Sequence, residues 1–151
     1  MALPTHLELQ IVTPDRPIVT EQVDEVQIPG AAGYFGVLPG HTPLLAALAV
    51  GELWYRKGQE KTYLAVAYGF AEVLPDRVTI LAQLAERAEE IDLERAERAR
   101  ARASQRLEGK SDFDYARARI ALTKSLTRLQ VSSRIASGAG PRLKRVQRDG
   151  A

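Results

Sequence analysis

The residue types able to do chemistry are few in this chain. Its 151 residues include no cysteine and only two histidines, His6 and His41. Disulfide frameworks, thiolate zinc sites and cysteine nucleophiles are therefore excluded. No spacing of metal ligands is present either. His41 lies in the richest stretch, residues 30–45, GAAGYFGVLPGHTPLL. Its glycines have neither the G-x-G-x-x-G spacing of a dinucleotide loop nor a Gly-Lys-Ser/Thr ending. They read instead as turn and close-approach positions. No nucleophile and carboxylate stand nearby to make a triad with His41. The stretch carrying Gly30, Gly33, Gly36, Pro39, Gly40, His41 and Pro43 thus reads as an interface loop, not a catalytic one.

Arginine offers more. At about 100° per residue, Arg95, Arg98, Arg102 and Arg106 share one helical stripe. Arg117, Lys124 and Arg128 form a second, turned away from the leucine face of their own helix. Such stripes are solvated basic faces, or they meet an acidic protein surface, a nucleotide phosphate or a nucleic acid. Nucleic acid fits worst, because residues 1–90 are acidic and the stripes lack interleaved aromatics. The acidic pairs Glu89-Glu90 and Asp112/Asp114 read as surface charges or helix caps.

The elements that must position these residues fall into two units of opposite charge. Residues 1–90 hold 6 Lys+Arg against 12 Asp+Glu, and residues 91–151 hold 15 against 7. Seven of eight prolines lie at or before Pro75, and seven of nine aromatics before residue 71. The first unit, 1–90, reads as a β-sandwich: short apolar or alternating runs at 7–12, 18–26, 51–56, 61–66, 69–74 and 78–84 alternate with Pro, Gly and Asp. Gly58 and Pro75-Asp76 mark two hairpins. The alternation Val78, Ile80, Ala82, Leu84 carries the last strand past residue 81, and Asp92 caps the first helix.

The second unit, 91–131, reads as an antiparallel hairpin of helices 92–108 and 112–131, with Gly109 and Ser111 between them. Ala96, Ala99, Ala103 and Leu107 face Tyr115, Ala118, Leu122, Leu126 and Leu129. A seam made mainly of alanine on one side gains little from burial. The hairpin therefore needs another surface and need not stay in one place. Residues 132–151, with five basic and one acidic residue, read as a disordered basic tail. The longest apolar run, 44–50, is too short for a bilayer, which takes about 20 helical residues. Residues 1–6 read as no signal peptide.

Several motifs in order resemble the epsilon subunit of F-type ATP synthases: the Pro-Gly-His-x-Pro-Leu pattern at 39–44, the opening from His6, Gly-Phe-Ala-Glu-Val at 69–73, and Ile91-Asp92-x-x-Arg95-Ala96. The resemblance covers residues 5–131 and gives the basic tail no role. It implies a β-sandwich followed by a helical hairpin, in a central-stalk subunit at the cytoplasmic face of a bacterial plasma membrane. The implied partners are the gamma subunit, the ring of c subunits and the alpha and beta subunits. The implied role is to couple proton flow to ATP synthesis without catalysis, while the hairpin restrains ATP hydrolysis; the basic face of Arg117, Lys124 and Arg128, read from charge and spacing, would there meet acidic surfaces of the catalytic subunits. No cofactor is required, although some family members bind ATP as a regulatory ligand. On that resemblance the ATP site would comprise Glu86, Ile91, Asp92, Arg95, Ala96, Arg102, Lys124 and Arg128. Two other readings stand beside it. One is a β-sandwich ligand-binding module whose pocket would be lined by Trp54, Tyr55, Tyr63 and Tyr68; the other is a nucleic-acid-binding hairpin.

Overall fold

The computed structural model describes residues 2–108 and 112–136. Eight strands come first: β1 (Leu7–Val12), β2 (Pro17–Val23), β3 (Glu25–Gly30), β4 (Gly33–Val37), β5 (Leu44–Ala47), β6 (Val50–Lys57), β7 (Glu60–Val73) and β8 (Arg77–Arg87). A 3-10 turn, Ala88–Glu90, leads to α1 (Leu93–Leu107) and α2 (Asp112–Ala136).

All strands belong to one hydrogen-bonded sheet in the order β2-β1-β8-β7-β6-β3-β4, with β5 also on β7. The sheet folds on itself because β7 is kinked at Tyr68 and Gly69, both at positive φ (57° and 117°). Before the kink β7 pairs with β6, and after it with β5. The register does not change across it, so β5 and β6 act as one interrupted strand that bends with β7. A side chain at Gly69 would force the backbone to shift, since a Cβ there would lie 1.9 Å from the Leu81 carbonyl oxygen. The chain crosses between the layers at Asp24. Its carboxylate accepts the Gly58 N–H at 2.7 Å and lies 3.0 Å from His6 Nδ1. The Gly58 bond first, and His6 second, hold this half-buried carboxyl below its ordinary pKa.

The core between the layers follows the two-residue period of strands. Leu7, Leu9 and Ile11 of β1 and Val78 and Ile80 of β8 point inward from one layer; Val26, Ile28, Leu53, Tyr55, Leu64 and Val66 from the other. Among the described residues, none from a helix contributes to this cluster. A second, smaller cluster forms on the outer face of the β6–β7 layer. There Tyr63, Ala65 and the half-buried Trp54 meet Ala88, Ile91, Ala96, Val131 and Leu129.

Several sequence expectations need correction. Residues 18–26 are two strands, because Asp24 turns the chain from one layer to the other. The two runs on either side of residue 68 are one strand, because a kink can keep its ladder. The stretch 30–45 is not all loop: Gly30 ends β3, while Gly33 and Gly36 lie in β4, an edge strand whose glycines hide its pattern. Only Leu38, Pro39, Gly40, His41, Thr42 and Pro43 lie between β4 and β5. The second helix runs on through residues 132–136, because Arg134 in its last turn is held on the sheet. Residues 137–151, with the rest of the expected tail, lie outside the described residues, as do Gly109, Ser111 and the side chains of Asp112 and Asp114. In the second helix the buried positions are Ala118, Ser125, Thr127 and Val131, whereas Tyr115 (49% exposed) and Leu126 (48%) face outward. The single leucine face fails because α2 has two neighbours, α1 and the sheet, each taking its own side of the helix.

The expected consequence of the kink is that Gly69→Ala costs at least about 2 kcal/mol, from the left-handed backbone and the Leu81 carbonyl together. Thermal unfolding followed by circular dichroism should show a drop of roughly 10 °C. An unchanged midpoint would mean that the kink is not required.

Candidate functional site

Two surfaces merit description: a cleft under the hairpin and an apolar row on the opposite layer. The cleft begins with α1. Asp92 caps this helix, its Oδ1 accepting the Arg95 N–H at 3.0 Å. This fixes the first turn so that Arg95, Ala96, Ala99 and Arg102, at helical spacing, line one wall. The end of β8 and the 3-10 turn supply Leu84, Glu86 and Glu90, and α2 supplies Arg128. Together with Asp92 they enclose about 390 Å³.

The charges of the cleft are partly committed. Arg128 Nε and Nη2 donate to the two carboxylate oxygens of Glu86 at 3.0 and 2.7 Å. Glu90 accepts from Arg16 on the β1–β2 connection at 3.2 Å. Among the described residues, neither Arg95 nor Arg102 has a carboxylate within salt-bridge distance. Two exposed guanidinium forks thus converge on a cleft whose third is tied to a carboxylate. Guanidinium forks match the planar oxygens of carboxylates and phosphates, so the arrangement can hold an anion.

Of the eight residues assigned by resemblance to a nucleotide site, Glu86, Asp92, Arg95, Ala96, Arg102 and Arg128 line this cleft. Ile91 does not; it is 9% exposed and packs in the second apolar cluster beneath. Lys124 stands apart, its Nζ 5.5 Å from the Tyr68 ring centroid. Both arginine stripes are divided. Arg98 lies across α1 from the cleft, in a groove with Leu93, Glu94, Glu97 and Leu129, and 3.8 Å from Glu94. Arg128 faces inward onto Glu86, not away from the seam, because the sheet-facing side of α2 supplies it. Arg117 is exposed on the first half of α2 and does not line the cleft.

Sequence reasoning gave no site role to Leu84 or to Arg16, the partner of Glu90, and read Glu90 as a surface charge or cap. It also passed over the pair Glu52–Arg134, with bidentate bonds of 3.1 and 2.9 Å. The available signal was Glu52 itself, a lone carboxylate in the apolar strand run GELWY. The aromatics offered for a ligand pocket are dispersed. Tyr55 belongs to the inner core, where burial raises its hydroxyl's pKa. Trp54 and Tyr63 lie under the hairpin, and Tyr68 lies under Lys124.

The apolar row crosses the outer face of the other layer. Register places Ala47, Phe70, Leu81 and Val12 side by side on β5, β7, β8 and β1. Phe70 and Leu81 are each 55% exposed, and Leu45 in the adjoining row is 70% exposed. Exposed apolar side chains gathered in this way mark contact surfaces. At one end of the molecule, His41 Nδ1 meets its neighbour's Thr42 carbonyl oxygen at 2.6 Å. Nothing else that could act with it as a catalyst lies in that loop.

The fold defines a class: a β-sandwich with a helical hairpin laid on one face, a cationic cleft beneath the hairpin and an apolar row opposite. Residues 6–88 match the family model described as the beta-sandwich domain of the ATP synthase delta/epsilon chain, and residues 89–133 its long alpha-helix domain. The chain is 51% identical over 126 residues to the ATP synthase epsilon chain of Nitratidesulfovibrio vulgaris strain DP4, covering 83% of this chain and 94% of that one. It is 56% identical over 101 residues to the epsilon chain of Koribacter versatilis, covering 67% and 71%. Among solved structures it resembles a chain of the Euglena gracilis mitochondrial ATP synthase, in an assembly of OSCP, F1 and c-ring. There the TM-score is 0.77 at 26% identity, covering 91% of this chain and 84% of that one. The chain belongs to the epsilon-chain family of ATP synthases.

The cleft geometry gives a direct expectation. Inorganic tripolyphosphate titrated calorimetrically into the full chain should bind once, and Arg95→Ala and Arg102→Ala should each weaken it about tenfold, the worth of a charge-assisted bond. Binding unaffected by either change would place the anion elsewhere.

Proposed function

We propose that this chain is a non-catalytic coupling and regulatory subunit of the central stalk, with one duty for each layer of its sandwich. The row Ala47, Phe70, Leu81 and Val12 docks on the gamma subunit. The loop carrying Pro39, Gly40, His41 and Pro43 meets the ring of c subunits. The subunit sits at the cytoplasmic face of a bacterial plasma membrane, held there through the complex. The bacterial relatives favour that setting. Among the described residues, no helix is long and apolar enough to cross a membrane.

The hairpin is the regulatory part. In its docked position it lies on the sandwich; released, it extends toward the alpha and beta subunits and restrains ATP hydrolysis. The observation that carries this reading is the borrowed core: Val131 and Leu129 of α2 and Ala96 of α1 pack on Trp54, Tyr63 and Ala65 of the sandwich. Helices that depend on such a surface can exchange it for another of comparable area. ATP is the regulatory ligand. Its phosphates suit Arg95 and Arg102, and Arg128 once it is free of Glu86. Since both helices and β8 line the cleft, bound ATP favours the docked hairpin by mass action.

Two measurements on the reconstituted complex test this. Ending the chain at Glu90 should leave its affinity for gamma within a few-fold and raise ATP hydrolysis several-fold. Phe70→Asp should weaken gamma binding by ten- to a hundredfold, the loss of one large buried apolar side chain. Hydrolysis unchanged by removal of the hairpin, or gamma binding indifferent to Phe70, would contradict the assignment of duties.

A further inference from the structure

Glu52 is the one charged residue among the described residues that is buried, at 7% exposure. It lies on the face of β6 that the hairpin covers. Register puts it beside Ala65 of β7, and Ala65 beside Glu86 of β8. Two carboxylates therefore flank Ala65 in one cross-strand row. Helix α2 lies across this row, with Val131 in the same apolar cluster as Ala65, Arg128 on Glu86 and Arg134 on Glu52.

The two pairs differ in surroundings. In Glu86–Arg128 both side chains are 26% exposed and line the anion cleft. In the other pair the Glu52 side chain is 8% exposed and that of Arg134 37%. Both Glu52 oxygens accept from Arg134, whose guanidinium also sits 5.0 Å from the centroid of Tyr63. The Glu52 position is itself fixed. Its backbone N–H donates to the Tyr34 hydroxyl at 3.2 Å, and Gly51 leaves the room for that contact.

We infer that Glu52 and Arg134 form a charge latch that selects the docked pose of the hairpin independently of any nucleotide. When the hairpin is away, Glu52 stands on a sheet surface with access to water. When the hairpin covers it, water is excluded and the carboxylate must find a cation or stay unpaired, which is costly. Only a pose that brings Arg134 onto Glu52 meets that demand. The alanine seam and Val131 supply contact area but little direction. The latch supplies direction, and it rejects an apolar partner that lacks a cation at this point. Lying outside the cleft, it remains closed when an anion draws Arg128 from Glu86.

The asymmetry of exposure gives a test that needs neither nucleotide nor partner subunits. Hydrogen exchange of α2 amides is followed in the full-length chain, with Trp54 fluorescence as a second report on the covered face. Arg134→Met leaves a dry carboxylate and should lower α2 protection on the order of a hundredfold, while the inner strands stay protected. Glu52→Gln keeps an acceptor for the partly solvated Arg134 guanidinium and should cost less, about tenfold. Glu52→Leu combined with Arg134→Met removes both charges and should recover most of the protection. The latch is refuted if Arg134→Met leaves α2 protected. It is equally refuted if the double replacement is no better protected than Arg134→Met alone, since the loss would then come from the helix end and not from an unpaired Glu52.

Discussion

The helical hairpin cannot bury enough of itself. Ala96 and Ala103 of α1 and Ala118 and Ser125 of α2 are buried, and small residues give close approach but little apolar area. Ser125 even returns its hydroxyl to its own helix, donating to the Ala121 carbonyl at 2.8 Å. Most helical stability in proteins comes from packing of one face and not from propensity. The hairpin must therefore lean on something, and here it leans on Trp54, Tyr63 and Ala65. The cleft follows from this dependence. Its walls come from β8, α1 and α2, so it exists in this form only while the hairpin is docked. A ligand for the cleft is consequently also a ligand for one position of the hairpin.

The sandwich can provide two separate outer faces because its sheet is kinked at Tyr68 and Gly69. One layer presents Phe70 and Leu81, the other Glu52, Trp54, Tyr63 and Ala65. Among the described residues, the inner core between them draws nothing from the helices. Were the hairpin to leave, one outer face would change while the core and the opposite row stayed intact. The charge division along the chain has a matching place in the structure: acidic Glu52 and Glu86 on the sandwich receive basic Arg134 and Arg128 from α2.

Much of this was legible from residue types and spacing. The strand periods of β1 and β8, the turn at Gly58 and the Asp92 cap depend on local chemistry, and each lies where its residues indicate. The kink was harder, because the same Gly69 that permits it reads as a strand end. β4 was hidden because Gly33 and Gly36 remove the alternation that marks a strand. The faces of α2 misled because one helical wheel assumes one neighbour. Leu126 satisfies the period yet faces solvent, while Thr127 and Ser125 are buried with their hydroxyls bonded one turn back. Cleft residues close to the Ile91-Asp92 motif were found from the motif. Glu52 and Arg134 were not, since 82 residues separate them and nothing local links a strand glutamate to a helix-end arginine.

The central claim is that docking of the hairpin on the sandwich and restraint of hydrolysis exclude each other. The chain has no cysteine, so a pair introduced at Ala65 and Val131, which share one apolar cluster, locks the docked form selectively wherever it oxidises to a disulfide. The decisive measurement is ATP hydrolysis by the reconstituted complex carrying that pair, before and after reduction. The oxidised complex should hydrolyse ATP as fast as one whose chain ends at Glu90, and reduction should restore the restraint. An oxidised complex as restrained as the reduced one would show that the hairpin acts without leaving the sandwich.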